Sequence, residues 1–186
     1  RYPVMYMFDG HNVFFDEDAT FGKSWGMNDY MERTGKQLII VGVECNHQGN
    51  CRLSEYSPVT FENAELGKIR GRGSTTMNWM VNELKPYIDE HFRTLPDRRN
   101  TILAGSSMGG LMALYGATVY NSVFQRAACL SPSLWVAPGK VMELIARARI
   151  RPDTTIYMDY GENEMANHVA SQAVIPSAVY LLLTKG

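Results

Sequence analysis

Short apolar runs alternate along the chain with longer stretches in which apolar residues recur every three or four positions. Residues 3–9 form a brief apolar run ending at Asp9-Gly10, the pattern of a buried strand closed by a turn. Residues 38–44 (LIIVGVE) are continuous and β-branched, as strands covered on both faces are. Residues 101–105, 126–131 and 154–159 (TTIYMD) read as three further strands. Helices are predicted between them. Residues 24–33 open on Ser24, a good N-cap. Residues 75–92 carry Met77, Met80, Val81, Leu84, Ile88 and Phe92 at helical spacing, with Pro86 expected to kink the helix. Residues 108–119, residues 140–149 and part of 165–185 complete the set, with Pro176 breaking or starting the last. Strands alternating with helices predict an α/β fold with a mostly parallel sheet flanked by helices. Residues 48–74 are polar and long for a connection, the pattern of a functional loop. With no internal repeat or linker, residues 1–186 read as a single domain.

Composition narrows the partners. At 186 residues and 45% hydrophobic, the chain is long enough for one sizeable core. Its 18 Lys and Arg against 19 Asp and Glu leave a net charge of −1, which removes the electrostatic case for nucleic acid or an anionic membrane. The most apolar stretch, residues 173–183, is interrupted by Pro176 and Ser177 and is short of the roughly 20 residues of a span. Cys45, Cys51 and Cys129 are too few and odd in number for a disulfide scaffold. Free thiols in a reducing, cytoplasmic compartment are expected, with a Cys45–Cys51 bridge left open. The opening Arg1-Tyr2-Pro3 and the closing Thr184-Lys185-Gly186, a helix stop, read as clipped ends, so the domain is expected to be incomplete at both.

The sharpest chemical feature is Gly105-Ser106-Ser107-Met108-Gly109-Gly110, a G-x-S-x-G centred on Ser107. It lies between a predicted strand and a predicted helix, where a nucleophile elbow belongs. The turn leaves no room for side chains beside the serine, hence the glycines. It also points the Ser107 hydroxyl outward and aims the Met108 N–H at a carbonyl oxygen. A P-loop fails, because no Lys-Ser/Thr follows the glycines. A nucleophilic serine needs an orienting acid and a base, which on this kind of turn follow in the order Ser, Asp/Glu, His. Asp159, Glu162 and Glu164 all sit at or just past the fifth strand. Among the histidines, His11 precedes the serine and His91 ends a helix. His168 follows Glu164 by only four residues, on the same predicted helix. His47 lies between Cys45 and Cys51, but three ligands at irregular spacing make a poor metal site, so no metal and no cofactor are expected.

Residues 83–89 (ELKPYID), Phe92-Arg93-Thr94 and residues 102–111 (ILAGSSMGGL) resemble the esterase D-like family of the α/β-hydrolase superfamily. That family takes in enterochelin, feruloyl and acetylxylan esterases, S-formylglutathione hydrolases and mycolyltransferases. Residues 2–10 (YPVMYMFDG), Trp25, Arg52 with Glu55-Tyr56-Ser57-Pro58, and Ser131-Pro132-Ser133-Leu134-Trp135 extend the resemblance over nearly the whole chain. It implies an α/β-hydrolase fold and a serine carboxylic ester hydrolase acting on a small-molecule or glycan-linked acyl ester. An acyltransferase using the same serine and an inactive esterase-like binding protein are the alternatives. By the same resemblance Ser107 matches the nucleophile, Glu164 the acid in Gly161-Glu162-Asn163-Glu164, and His11 the second oxyanion donor through its backbone N–H beside that of Met108. The family's histidine follows one more strand, about thirty residues past the acid. The base is therefore expected beyond residue 186 rather than at His168, and the last strand and helix of the fold are expected to be missing here.

Overall fold

A computed structural model describes residues 1–161, 164 and 169–185. Its strands are β1 (Val4–Phe8), β2 (Ile39–Val43), β3 (Phe61–Asn63), β4 (Gly67–Ile69), β5 (Thr101–Ser106), β6 (Arg126–Leu130) and β7 (Thr155–Met158). The helices are α1 (Met27–Thr34), α2 (Cys51–Glu55), α3 (Gly73–Trp79), α4 (Lys85–His91), α5 (Met108–Val119), α6 (Pro138–Arg147) and α7 (Val169–Leu183). Five strands pair in the order β2-β1-β5-β6-β7, each neighbour parallel. This is the α/β architecture the strand–helix alternation predicts.

The sheet is covered on both faces, which is why its central strands read as unbroken apolar runs. Val4, Tyr6 and Phe8 of β1 join Leu103 of β5 in the main core with Phe124, Met77 and Met112. Met7 and Ala104 point the other way, into a smaller cluster with Val13 and partly buried Met27. Tyr6, Phe8 and Leu103 are each almost wholly buried, a burial worth about 1.5–3 kcal/mol per large apolar side chain. Helix α5 is buried from Met108 to Thr118, so it lacks the polar face of a surface helix.

Several elements depart from the sequence reading. Helix α1 begins at Met27, because Gly26 takes a left-handed φ of 61° and Ser24 bonds to Asp16 instead of capping. The helix expected over 75–92 runs as α3, a π turn over Met80–Leu84 and α4, and Pro86 falls in the first turn of α4. Pro176 lies inside α7. Residues 48–74 are structured by α2 and by the antiparallel β3–β4 hairpin. All three cysteines are free, so the Cys45–Cys51 bridge is absent. No helix of the described residues is long and apolar enough to cross a membrane.

Candidate active site

Parallel strands end together, so the residues that follow them line one rim of the sheet. Register puts Ser106 beside Leu130 and Phe8 beside Val43. Ser107, Ser131, Asp9 and Glu44 therefore come out on the same edge, one residue past their strands.

Ser107 sits on the β5–α5 turn with φ 54° and ψ −119°, a strained conformation for a residue with a Cβ. Three glycines make room for it. An added Cβ at Gly105 would lie 2.5 Å from the Gly109 carbonyl carbon, and at Gly110 2.9 Å from the Leu130 carbonyl oxygen. At Gly109 it would meet Phe8 Cβ at 2.9 Å and Asp9 Oδ2 at 3.2 Å. The Ser107 N–H donates to the Leu130 carbonyl at 3.0 Å, and its own carbonyl accepts from Ser133 N–H at 3.0 Å. The hydroxyl of Ser107, an exposed residue, lies 3.1 Å from that of buried Ser133. Met108 is the first residue of α5, a position whose N–H has no partner within the helix.

The loop after β1 is pressed against this turn. Asp9, at φ 58°, is buried and bound in two places by Arg52, Nε to Oδ1 at 2.6 Å and Nη2 to Oδ2 at 2.8 Å. This forked geometry fixes direction as well as charge. Tyr56 closes the corner by accepting from Asp9 N–H at 3.3 Å and donating to the Val43 carbonyl at 3.0 Å. Two residues on, the His11 N–H donates to Glu44 Oε2 at 2.9 Å. Burial pushes the Glu44 carboxyl up, but the Cys45 N–H and the His11 ring outweigh it and leave Glu44 below its ordinary range. Burial, with Asp9 and Glu44 nearby, raises the Cys45 thiol to about 12.

The acid candidates lie beyond β6 and β7. Ser131, at φ 43°, is held from both sides: its N–H donates to Asp159 Oδ1 at 3.0 Å, and its hydroxyl to Glu164 Oε1. Glu164 Oε1 also accepts from Gly161 N–H at 3.1 Å. Asp159 is further engaged by the Tyr157 hydroxyl at 3.0 Å. Glu164 and Asp159 thus share one serine on the rim next to the Ser107 turn. Glu162 and His168 lie outside the described residues.

Among the described residues no histidine is hydrogen-bonded to Ser107. The rings of His11 and His47 both face Glu44 Oε1, at 2.7 and 3.1 Å. His91 bonds the Tyr87 carbonyl and stacks on that ring, as a helix-end histidine does. Trp135, at the end of the matching Ser131–Trp135 run, is partly buried against the main core. Sequence reasoning missed Ser131, Ser133 and Glu44 as rim residues. The signal was available, since each stands within three residues of the end of a strand in a parallel sheet.

Comparison with known proteins agrees with this architecture. The chain is 22% identical over 166 residues to the uncharacterized protein YbbA of Bacillus subtilis, covering 88% of this chain and 62% of that one. It is 35% identical over 78 residues to the iron(III) salmochelin esterase of Escherichia coli O6:H1, covering 41% of this chain and 19% of that one. Among solved structures, an IroE-like serine hydrolase from Shewanella oneidensis superposes with a TM-score of 0.76 at 19% identity, over 99% of this chain and 60% of that one. The chain thus spans less than two thirds of the length of either curated relative. The family model described as "Putative esterase" matches residues 1–178, nearly the whole strand–turn–helix frame described above, and the chain belongs to that esterase family.

Proposed function

We propose that the protein hydrolyses carboxylic esters with Ser107 as nucleophile. The observation that carries this reading is the strained Ser107 backbone on the β5–α5 turn, enclosed by three glycines that admit no side chain. A fold keeps such strain where it positions chemistry. The Ser107 oxygen attacks the ester carbonyl, the alcohol leaves, and water then releases the acyl group. Met108 N–H and His11 N–H are the oxyanion donors in this reading. The second is already bonded to Glu44, so Glu44 must yield it when the oxyanion forms. Glu164 is the acid, supported by its place on Ser131 beside the elbow. The proton acceptor is a histidine of the complete protein other than His11, His47 and His91, whose rings are engaged elsewhere. Small-molecule esters are the favoured substrate class, in keeping with a relative named for an iron(III) salmochelin.

The test is Ser107→Ala in the complete protein. Turnover of a p-nitrophenyl ester should fall by about three orders of magnitude or more, with an unchanged circular dichroism spectrum. Ser106→Ala, one residue away, should retain most activity. Activity of Ser107→Ala within tenfold of the wild type, about 1.4 kcal/mol, would reject the assignment.

A further inference from the structure

The loops after β1 and β2 bring four ligand-type side chains together on one side of the elbow. One ligand atom each from His11, Glu44, Cys45 and His47 lies within 4.8 Å of all the others. The Cys45–His47–Cys51 grouping considered from the sequence fails at Cys51, which is absent from this set. It gains His11 and Glu44, which the parallel pairing of β1 with β2 supplies.

Glu44 Oε1 is oversubscribed. Cys45 N–H at 2.9 Å, His11 Nδ1 at 2.7 Å and His47 Nε2 at 3.1 Å all converge on it. A carboxylate oxygen has two lone pairs to offer, so three donors cannot all be well served. The His11 and His47 rings also meet edge to face with centroids 4.5 Å apart. The remaining His11 nitrogen, Nε2, is 2.9 Å from the Thr20 hydroxyl, the outer-shell contact that orients a ligating imidazole. Glu44 Oε2, the oxygen that the proposed oxyanion role of His11 N–H requires to let go, is not the oxygen on which the two rings converge.

We infer that His11 Nδ1, Glu44 Oε1, Cys45 Sγ and His47 Nε2 form a binding site for a divalent transition-metal ion of the zinc class. Two imidazole nitrogens, a thiolate and a carboxylate are a donor set that zinc accepts in a tetrahedron. The thiolate and carboxylate together neutralise the ion's charge. Binding releases the Cys45 thiol proton to solvent and leaves both rings neutral. Tetrahedral ligand atoms stand about 3.3–3.6 Å apart. The close pairs must therefore open slightly and the wider pairs contract. Glu44 and His47, with side chains 50% and 56% exposed, have room to do so. Four protein ligands close the coordination shell, which marks the ion as structural. It would tie the loop carrying His11 to the loop carrying Glu44.

Cobalt(II), a spectroscopic stand-in for zinc, tests this when titrated into the complete reduced protein at neutral pH. A one-to-one complex with the visible bands of tetrahedral cobalt and a near-ultraviolet thiolate-to-cobalt band is expected, and zinc should displace the cobalt. Cys45→Ser should lose the thiolate band. Exposed His47→Ala, which should fold normally, should weaken binding at least tenfold. Thr20→Val, which releases the His11 ring, should weaken it about 10–100-fold. Absence of tetrahedral cobalt absorption, or binding that His47→Ala and Cys45→Ser both leave unchanged, would overturn the site.

Discussion

At Gly105 an added Cβ would come within 2.5 Å of the Gly109 backbone, whereas at Gly161 its nearest neighbours would be side-chain atoms of Glu164, Oε1 at 2.9 Å and Cγ at 3.0 Å. That difference separates the two halves of the rim. On the serine side, backbone packs against backbone between β5, the end of β6 and the start of α5, Phe8 Cβ and Asp9 Oδ2 press in from the β1 side, and the Asp9–Arg52 fork locks that loop. On the acid side, Glu164 is placed by two hydrogen bonds, to Ser131 and Gly161, next to the exposed edge strand β7. The position of Ser107 is thus written into packing that cannot relax. The position of Glu164 depends on polar contacts that can rearrange.

Glu164→Gln is expected to have the largest effect on the acid side. It keeps the shape but removes the charge that, in the proposed mechanism, orients and stabilises a protonated base. Ester turnover should fall about 10²–10⁴-fold with little change in melting temperature. Asp159→Asn should cost less than tenfold, and the reverse ranking would transfer the acid role to Asp159. Gly105→Ala should be the most damaging to the serine side. Its Cβ meets backbone that cannot move without opening the elbow, and the protein should lose about 3 kcal/mol or more by urea denaturation. A loss below 1 kcal/mol would show that the turn is softer than its geometry indicates.

Gly161→Ala sharpens the contrast. Here the clash falls on a side chain that can swing away, so stability should change by less than about 1 kcal/mol. Glu164 should leave Ser131, and turnover should drop roughly tenfold or more, a separation of activity from stability that Gly105→Ala cannot show. The smallest effect should come from Tyr157→Phe. The Asp159 hydrogen bond and charge hold the exposed Tyr157 phenol above its ordinary range. A raised acid contributes stability below its unfolded pKa and loses it as pH rises through the folded value. The melting temperature of the wild type should therefore fall slightly more steeply than that of Tyr157→Phe at strongly alkaline pH.

The sequence was most legible where local pattern and tertiary demand coincide. The run ending at Gly105 is apolar because β5 is covered on both faces, and the glycines after it exist for the elbow, so periodicity and motif agree on one place. The β3–β4 hairpin stayed hidden because three-residue strands with Glu62, Asn63 and Lys68 carry no alternation to read. The start of α1 was misplaced because a capping serine competes with a left-handed glycine two residues later. The Asp9–Arg52 fork and the Glu44 cluster were out of reach for another reason. They join residues 33 to 43 positions apart, and only the register of parallel strands brings them together.

The central claim is that the strained turn presents Ser107 as the reactive nucleophile. A fluorophosphonate probe, which forms a stable covalent bond with an activated serine oxygen, tests it most directly when followed by intact mass and peptide mapping of the complete protein. One adduct on Ser107 is predicted, absent from Ser107→Ala and retained in Ser106→Ala. An adduct on Ser106, Ser131 or Ser133, or equal labelling of Ser107→Ala, would contradict it.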